Sequence, residues 1–135
     1  MDIIQLDTEL AKRKIQELDL SFIERRLVEI EGCNSAYARE AVDSYRQLLT
    51  LQVGYPDRRL APPVAADRAL HAHILHTRRY ANDMQAIFGR FLHHDPEESS
   101  EEARAFTRQA FRDEFGVNID AFAICLVEVE KKLAA

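Results

Sequence analysis

At 135 residues, 47% hydrophobic and 30% charged, the chain has the composition of an ordinary globular folding unit, not of a disordered or fibrous one. Its 18 basic against 23 acidic residues give a net charge of −5 and a pI near 5.5. With no basic tract, that balance argues against a sequence-independent grip on nucleic-acid backbones and against docking on anionic lipid.

The N-terminal stretch carries acidic residues and no apolar core of a signal peptide, and no apolar run approaches the roughly 20 residues that span a bilayer. Cys33 and Cys125 form neither a disulfide framework nor a C-x-x-C pair, and no histidine lies near either in sequence to activate it. They read as reduced thiols in a soluble, cytoplasmic protein.

Residues 3–18 place Ile3, Ile4, Leu6, Leu10, Ile15 and Leu18 at helical spacing, which predicts an amphipathic first helix. Ser21 with Glu24 has the spacing of a capping box for a second, closed by Gly32. Asn34 or Ser35 then caps a third, which runs to about Leu51 with Tyr37, Ala41, Val42, Tyr45, Leu48 and Leu49 inward. Gly54, Pro56, Pro62 and Pro63 make residues 53–66 a structured loop. A long central helix is expected from about Asp67 to Gly89, then a loop through Pro96. Ser99 with Glu102 starts another helix that ends at Gly116, and Asn118 caps a last one over Ile119 to Leu133. The expected architecture is an all-α bundle of five or six helices around the central histidine-bearing helix, a single domain over residues 1–135.

All five histidines lie within residues 71–94. At about 100° per residue, Leu70, Ile74, Thr77, Ala81, Met84 and Phe88 share the inward stripe of the central helix. His73 falls on the edge of that stripe, one turn from Thr77 and two from Tyr80. His71 lies one turn after Asp67 on the opposite margin, and His76 falls towards the polar face with Arg79 and Asp83. His93 and His94 follow the helix end, where an imidazole can cap the helix, anchor the loop or ligate a metal.

Asp67 and His71 with one of His93 or His94 form a carboxylate-plus-imidazole set that suits zinc, iron or manganese with open positions. His71 and His73 point about 200° apart on a regular helix, so both cannot serve one ion there. The bland reading of Asp67 and His71 is a first-turn carboxylate paired with an imidazole. On one straight helix, His71 and His93 would stand roughly 30 Å apart at a rise of 1.5 Å per residue. A metal therefore needs a sharp bend, or a ligand from another segment or chain.

The run D-x-x-L-H-x-H-I-L-x-T-x-x-Y, continuing to I-F-G-R-F-L-H-H, resembles the core of the glycine-rich domain-containing protein-like family, whose hallmark is D-x-x-W-H-x-H-x-x-x-T-x-x-Y. The match falls on Asp67, His71, His73, Thr77 and Tyr80, followed by Phe88-Gly89 and His93-His94. Leu70 replaces the family's tryptophan, and the glycine-rich tail is absent. The resemblance implies that the histidines matter to the family, and it implies no established catalytic activity.

Two functional readings follow. The first is a non-catalytic binding or regulatory module, in which Asp67, His71, His73, Thr77 and Tyr80 form a buried polar network that shapes a pocket or partner surface. The second is a metal-dependent enzyme on Asp67, His71 or His73 and His93 or His94, with Tyr80 as proton donor. A tetrapyrrole with axial His73 is a weaker third. The partner is an unidentified protein or small molecule, with no nucleic acid and no membrane, and a homodimer is compatible with the helical faces.

Overall fold

The computed structural model describes residues 7–95 and 100–123. Among the described residues are six helices: α1 (Thr8–Glu17), α2 (Ser21–Glu29), α3 (Ser35–Gly54), α4 (Val64–Leu75), α5 (Thr77–Phe88) and α6 (Glu101–Phe115). Among these residues no strand is present beyond a single antiparallel bridge, Pro63 to Phe122. The protein is all-helical, with α3 as the element on which α1, α2, α4 and α6 all pack.

The sequence of α3 explains that position. Ala38, Ala41, Val42, Tyr45, Leu48 and Leu49 recur every three or four residues and are all buried. Asn34 caps its start, its Oδ1 accepting from Tyr37 N at 2.7 Å. Arg46, on a less buried side of α3, reaches back to the C-terminal end of α1 and donates to Ile15 O at 2.6 Å and Leu18 O at 2.8 Å. A guanidinium there satisfies carbonyls that a helix end leaves without partners. Against α3 lies α4, whose buried face is mostly small: Ala66, Ala69 and Ala72 beside Leu70 and His73. Small side chains at the contact let the two axes approach closely, and α3–α4 is the most extensive packing in the chain.

The central helix departs from its expected form. It begins at Val64, not Asp67, and it is two helices. His76 (φ −89°, ψ 70°) leaves helical geometry, its N–H turns to His73 O, and α5 restarts at Thr77. The imidazole of His76 donates from Nδ1 to Ala72 O at 2.8 Å, taking up the carbonyl that its own backbone N–H abandons. Phe22 of α2 rewards the break, with the His76 ring edge-on at 4.8 Å and the Arg79 guanidinium over its face at 4.2 Å. In α5 the buried stripe becomes Tyr80, Met84, Ile87 and Phe88, and Thr77 is exposed.

Other boundaries also shift. The Ser21–Glu24 box does not form: the N-cap position of α2 is Leu20, and Asp19 before it accepts from Ser21 N at 3.0 Å and Ser21 Oγ at 2.6 Å. Ser100 caps α6 through its bond from Ala103 N at 3.1 Å, and the Ser99 of the expected box lies outside the described residues. After Gly116 the chain does not resume a helix at Asn118. Residues 117–123 are non-helical and strap onto the loop before α4 through Val64 N to Ala121 O and Ala123 N to Pro62 O. The remainder of the expected last helix, Cys125 included, lies outside the described residues.

Candidate metal centre

The break at His76 sets the geometry of the site. It lets α5 run back, and Gly89, in the left-handed region at φ 70°, ends α5 and turns the chain. Tyr80, 1% exposed, then donates its hydroxyl to Leu92 O and pins the following segment. Phe91 meets the Tyr80 ring edge-on at 5.3 Å and adds a second anchor. The outcome is that His94 returns to the first turns of α4.

There three side chains converge. His71 Nε2 stands 3.0 Å from His94 Nε2 and 3.4 Å from Asp67 Oδ1, and His94 Nε2 stands 3.2 Å from the same oxygen. Bonds of about 2.0–2.1 Å place ligand atoms roughly 3.0 Å apart in octahedral and 3.4 Å apart in tetrahedral geometry, so one ion reaches all three. Among the described residues this is the one group of three or more histidine, cysteine or acidic side chains with metal-binding spacing. The roughly 30 Å separation on a straight helix is thus corrected, because the helix is not straight.

With an ionised carboxylate, the triangle cannot pair a donor with an acceptor along all three edges. An ionised carboxylate only accepts, so each imidazole must present N–H to it. Two N–H groups then face each other across the 3.0 Å edge. If either imidazole instead presents a lone pair to its neighbour, that lone pair also faces the carboxylate oxygen. A cation at the centre would instead engage one lone pair from each of the three at once.

The other expected site residues go elsewhere. His93 is exposed and packs its ring on Phe91 at 4.8 Å. Thr77 joins neither constellation. His73, fully buried, is 2.6 Å from Tyr45 Oη through Nδ1 and 2.8 Å from Asp83 Oδ2 through Nε2. Burial pushes its pKa below the ordinary histidine value, with Asp83 opposing but not cancelling that effect. The neutral ring therefore donates from Nε2 to Asp83 and accepts the Tyr45 hydroxyl at Nδ1, a tautomer inferred from the partners. Burial also raises the phenols of Tyr45 and Tyr80, keeping both protonated.

This inner network argues against two of the readings drawn from the sequence. Both ring nitrogens of His73 are engaged, so it offers no axial ligand to a tetrapyrrole. The Tyr80 hydroxyl is committed to Leu92 O, so it holds a loop instead of standing as a proton donor. Tyr45 and Asp83 were not foreseen as partners of His73. Tyr45 carried only a core signal, and Asp83 lies ten residues on, across a break that periodicity does not register.

The triad opens on a cleft of about 820 Å³ between the C-terminal half of α3, the loop before α4, the start of α4 and residues 90–95. His71 is the exposed member, its side chain 52% accessible against 17% for Asp67 and 18% for His94. Two ligands are thus held in the wall while the third faces solvent.

The fold and site define an all-helical protein with a histidine-carboxylate cluster at the mouth of a cleft. The chain belongs to the UCP032817-like family, matched over residues 14–123, a span that contains both constellations. That family is uncharacterised, and no glycine-rich domain family is shown, which corrects the resemblance drawn from the D-x-x-L-H-x-H run. A motif spread over residues 67–94 decides membership less well than a match over residues 14–123. No curated protein and no solved structure matches.

Proposed function

We propose that this chain is a binding module that holds one divalent transition-metal ion through Asp67, His71 and His94 and presents the ion's open positions to the cleft. The convergence of two imidazole nitrogens and a carboxylate oxygen at metal-ligand spacing supports this most directly. Two imidazoles and one carboxylate suit zinc or ferrous iron, and manganese less well because the nitrogen share is high. A three-ligand site leaves room for a small molecule to coordinate, and such an ion can polarise a carbonyl or activate water. The Asp83–His73–Tyr45 network supports the module as architecture, fixing α3, α4 and α5 in one arrangement. We take the module to be one domain over residues 1–135, acting in the cytoplasm as its composition implies.

The test is elemental analysis of tag-free protein, followed by zinc titration of the metal-stripped chain. About one equivalent is expected for a single three-ligand site. His71→Ala and His94→Ala should abolish tight binding, while His93→Ala should leave it intact. Absence of metal uptake by the wild type, or uptake indifferent to His71→Ala and His94→Ala, would overturn the proposal.

A further inference from the structure

The cleft beside the triad carries its own chemical information. Its charged lining is balanced: Arg58, Arg59 and Arg90 against Asp57, Asp67 and Asp95. A divalent ion on the triad tips that balance to net positive at one end. Away from the triad the wall is apolar, with Leu48, Leu49, Leu60 and Leu92, and Phe91 stands 44% exposed at the rim. An exposed phenylalanine beside a leucine-lined wall is available contact surface for an apolar body.

Resting on the metal reading, we propose that the cleft takes an amphipathic carboxylic acid, its carboxylate completing the metal's coordination and its hydrocarbon body lying along Leu60, Leu92 and Phe91. A carboxylate supplies one negative charge and one or two oxygens, which suits an ion with three protein ligands. The apolar wall supplies what a bare carboxylate such as acetate cannot use. At about 0.8 kcal/mol per buried CH2, a few methylenes correspond to a tenfold or greater gain in affinity.

The experiment loads the full chain with cobalt(II), whose visible bands report ligand exchange at the metal, and titrates it with octanoate, acetate and octanol. Octanoate should shift the bands with a Kd at least tenfold below that of acetate, and octanol should leave them unchanged. Leu60→Asp and Leu60→Asn, at a side chain that neither holds the metal nor anchors its ligands, should each retain cobalt yet weaken octanoate at least tenfold while leaving acetate alone. Equal binding of octanoate and acetate, an octanoate affinity unaffected by either variant, or cobalt bound with no response to octanoate would overturn this inference and leave the metal site standing. A wild-type chain that takes up no cobalt would overturn both.

Discussion

His73 and His71 stand two residues apart on α4 and serve different faces of it, one the core and the other the cleft. His73 is sealed in the core between Tyr45 and Asp83. Replacing it with alanine removes packing and strands a buried hydroxyl, and should cost about 2–4 kcal/mol, read as a lower denaturation midpoint. Tyr45→Phe leaves His73 Nδ1 without its donor and should cost about 1–3 kcal/mol. The lowered pKa of His73 also fixes a sign. As pH falls below about 6.5 the unfolded chain gains a proton at this position before the folded chain does. The stability contributed by the buried neutral ring is therefore complete above that pH and is lost as pH falls towards the lower folded value. Thermal melts of metal-free protein at pH 7.5 and 5 should show that decline, and His73→Gln should show less of it. Equal slopes in the two proteins would contradict the assignment. The sequence reading placed His73 at the edge of the buried stripe, because helical spacing reports which way a side chain points. It reports nothing of a partner ten residues away beyond a break, so Asp83 was out of reach.

At the scale of elements, the site depends on two turns and one anchor. Gly89 ends α5 at φ 70° with open space where a Cβ would stand. Gly89→Ala should thus carry a conformational cost alone, about 1–2 kcal/mol in chemical denaturation. Tyr80 is the anchor. Tyr80→Phe keeps the ring in the core but releases Leu92 O, and should weaken zinc at least tenfold while the far-UV helical signal stays unchanged. Unchanged zinc affinity in that variant would show that the 91–94 segment is positioned by other contacts. Gly32, Asn34 and Gly116 punctuate the helices as expected, since caps and left-handed ends have strong local chemistry. The break at His76 has no such chemistry: neither proline nor glycine marks it, and the apolar spacing continues through Ile74 and Thr77. Contacts from α2 that no local pattern encodes, Phe22 against His76 and Arg79, accompany the break.

For the whole molecule, helical periodicity with few glycines and prolines made the all-helical class legible, and the apolar face of α3 foretold the core. The clustering of histidines marks the stretch that holds the Asp67–His71–His94 triangle. What the sequence could not supply was the path of the chain between them. Reading residues 67–89 as one rod separated His71 from His94, and the breaks at His76 and Gly89 allow the chain to bring them together. Metal should consequently stabilise the fold, because the triad ties α4 to the segment after α5. Zinc at a hundredfold excess over its Kd should add about 2.7 kcal/mol. His71→Ala, exposed in the wild type, should remove that gain with little effect on the metal-free chain. The most direct test is X-ray absorption at the zinc edge of the loaded wild-type protein. Outer-shell scattering from about two imidazoles, with nitrogen and oxygen neighbours near 2.0–2.1 Å, is predicted. A first shell of oxygen alone, without the imidazole pattern, would mean that His71 and His94 do not hold the metal and would contradict the account.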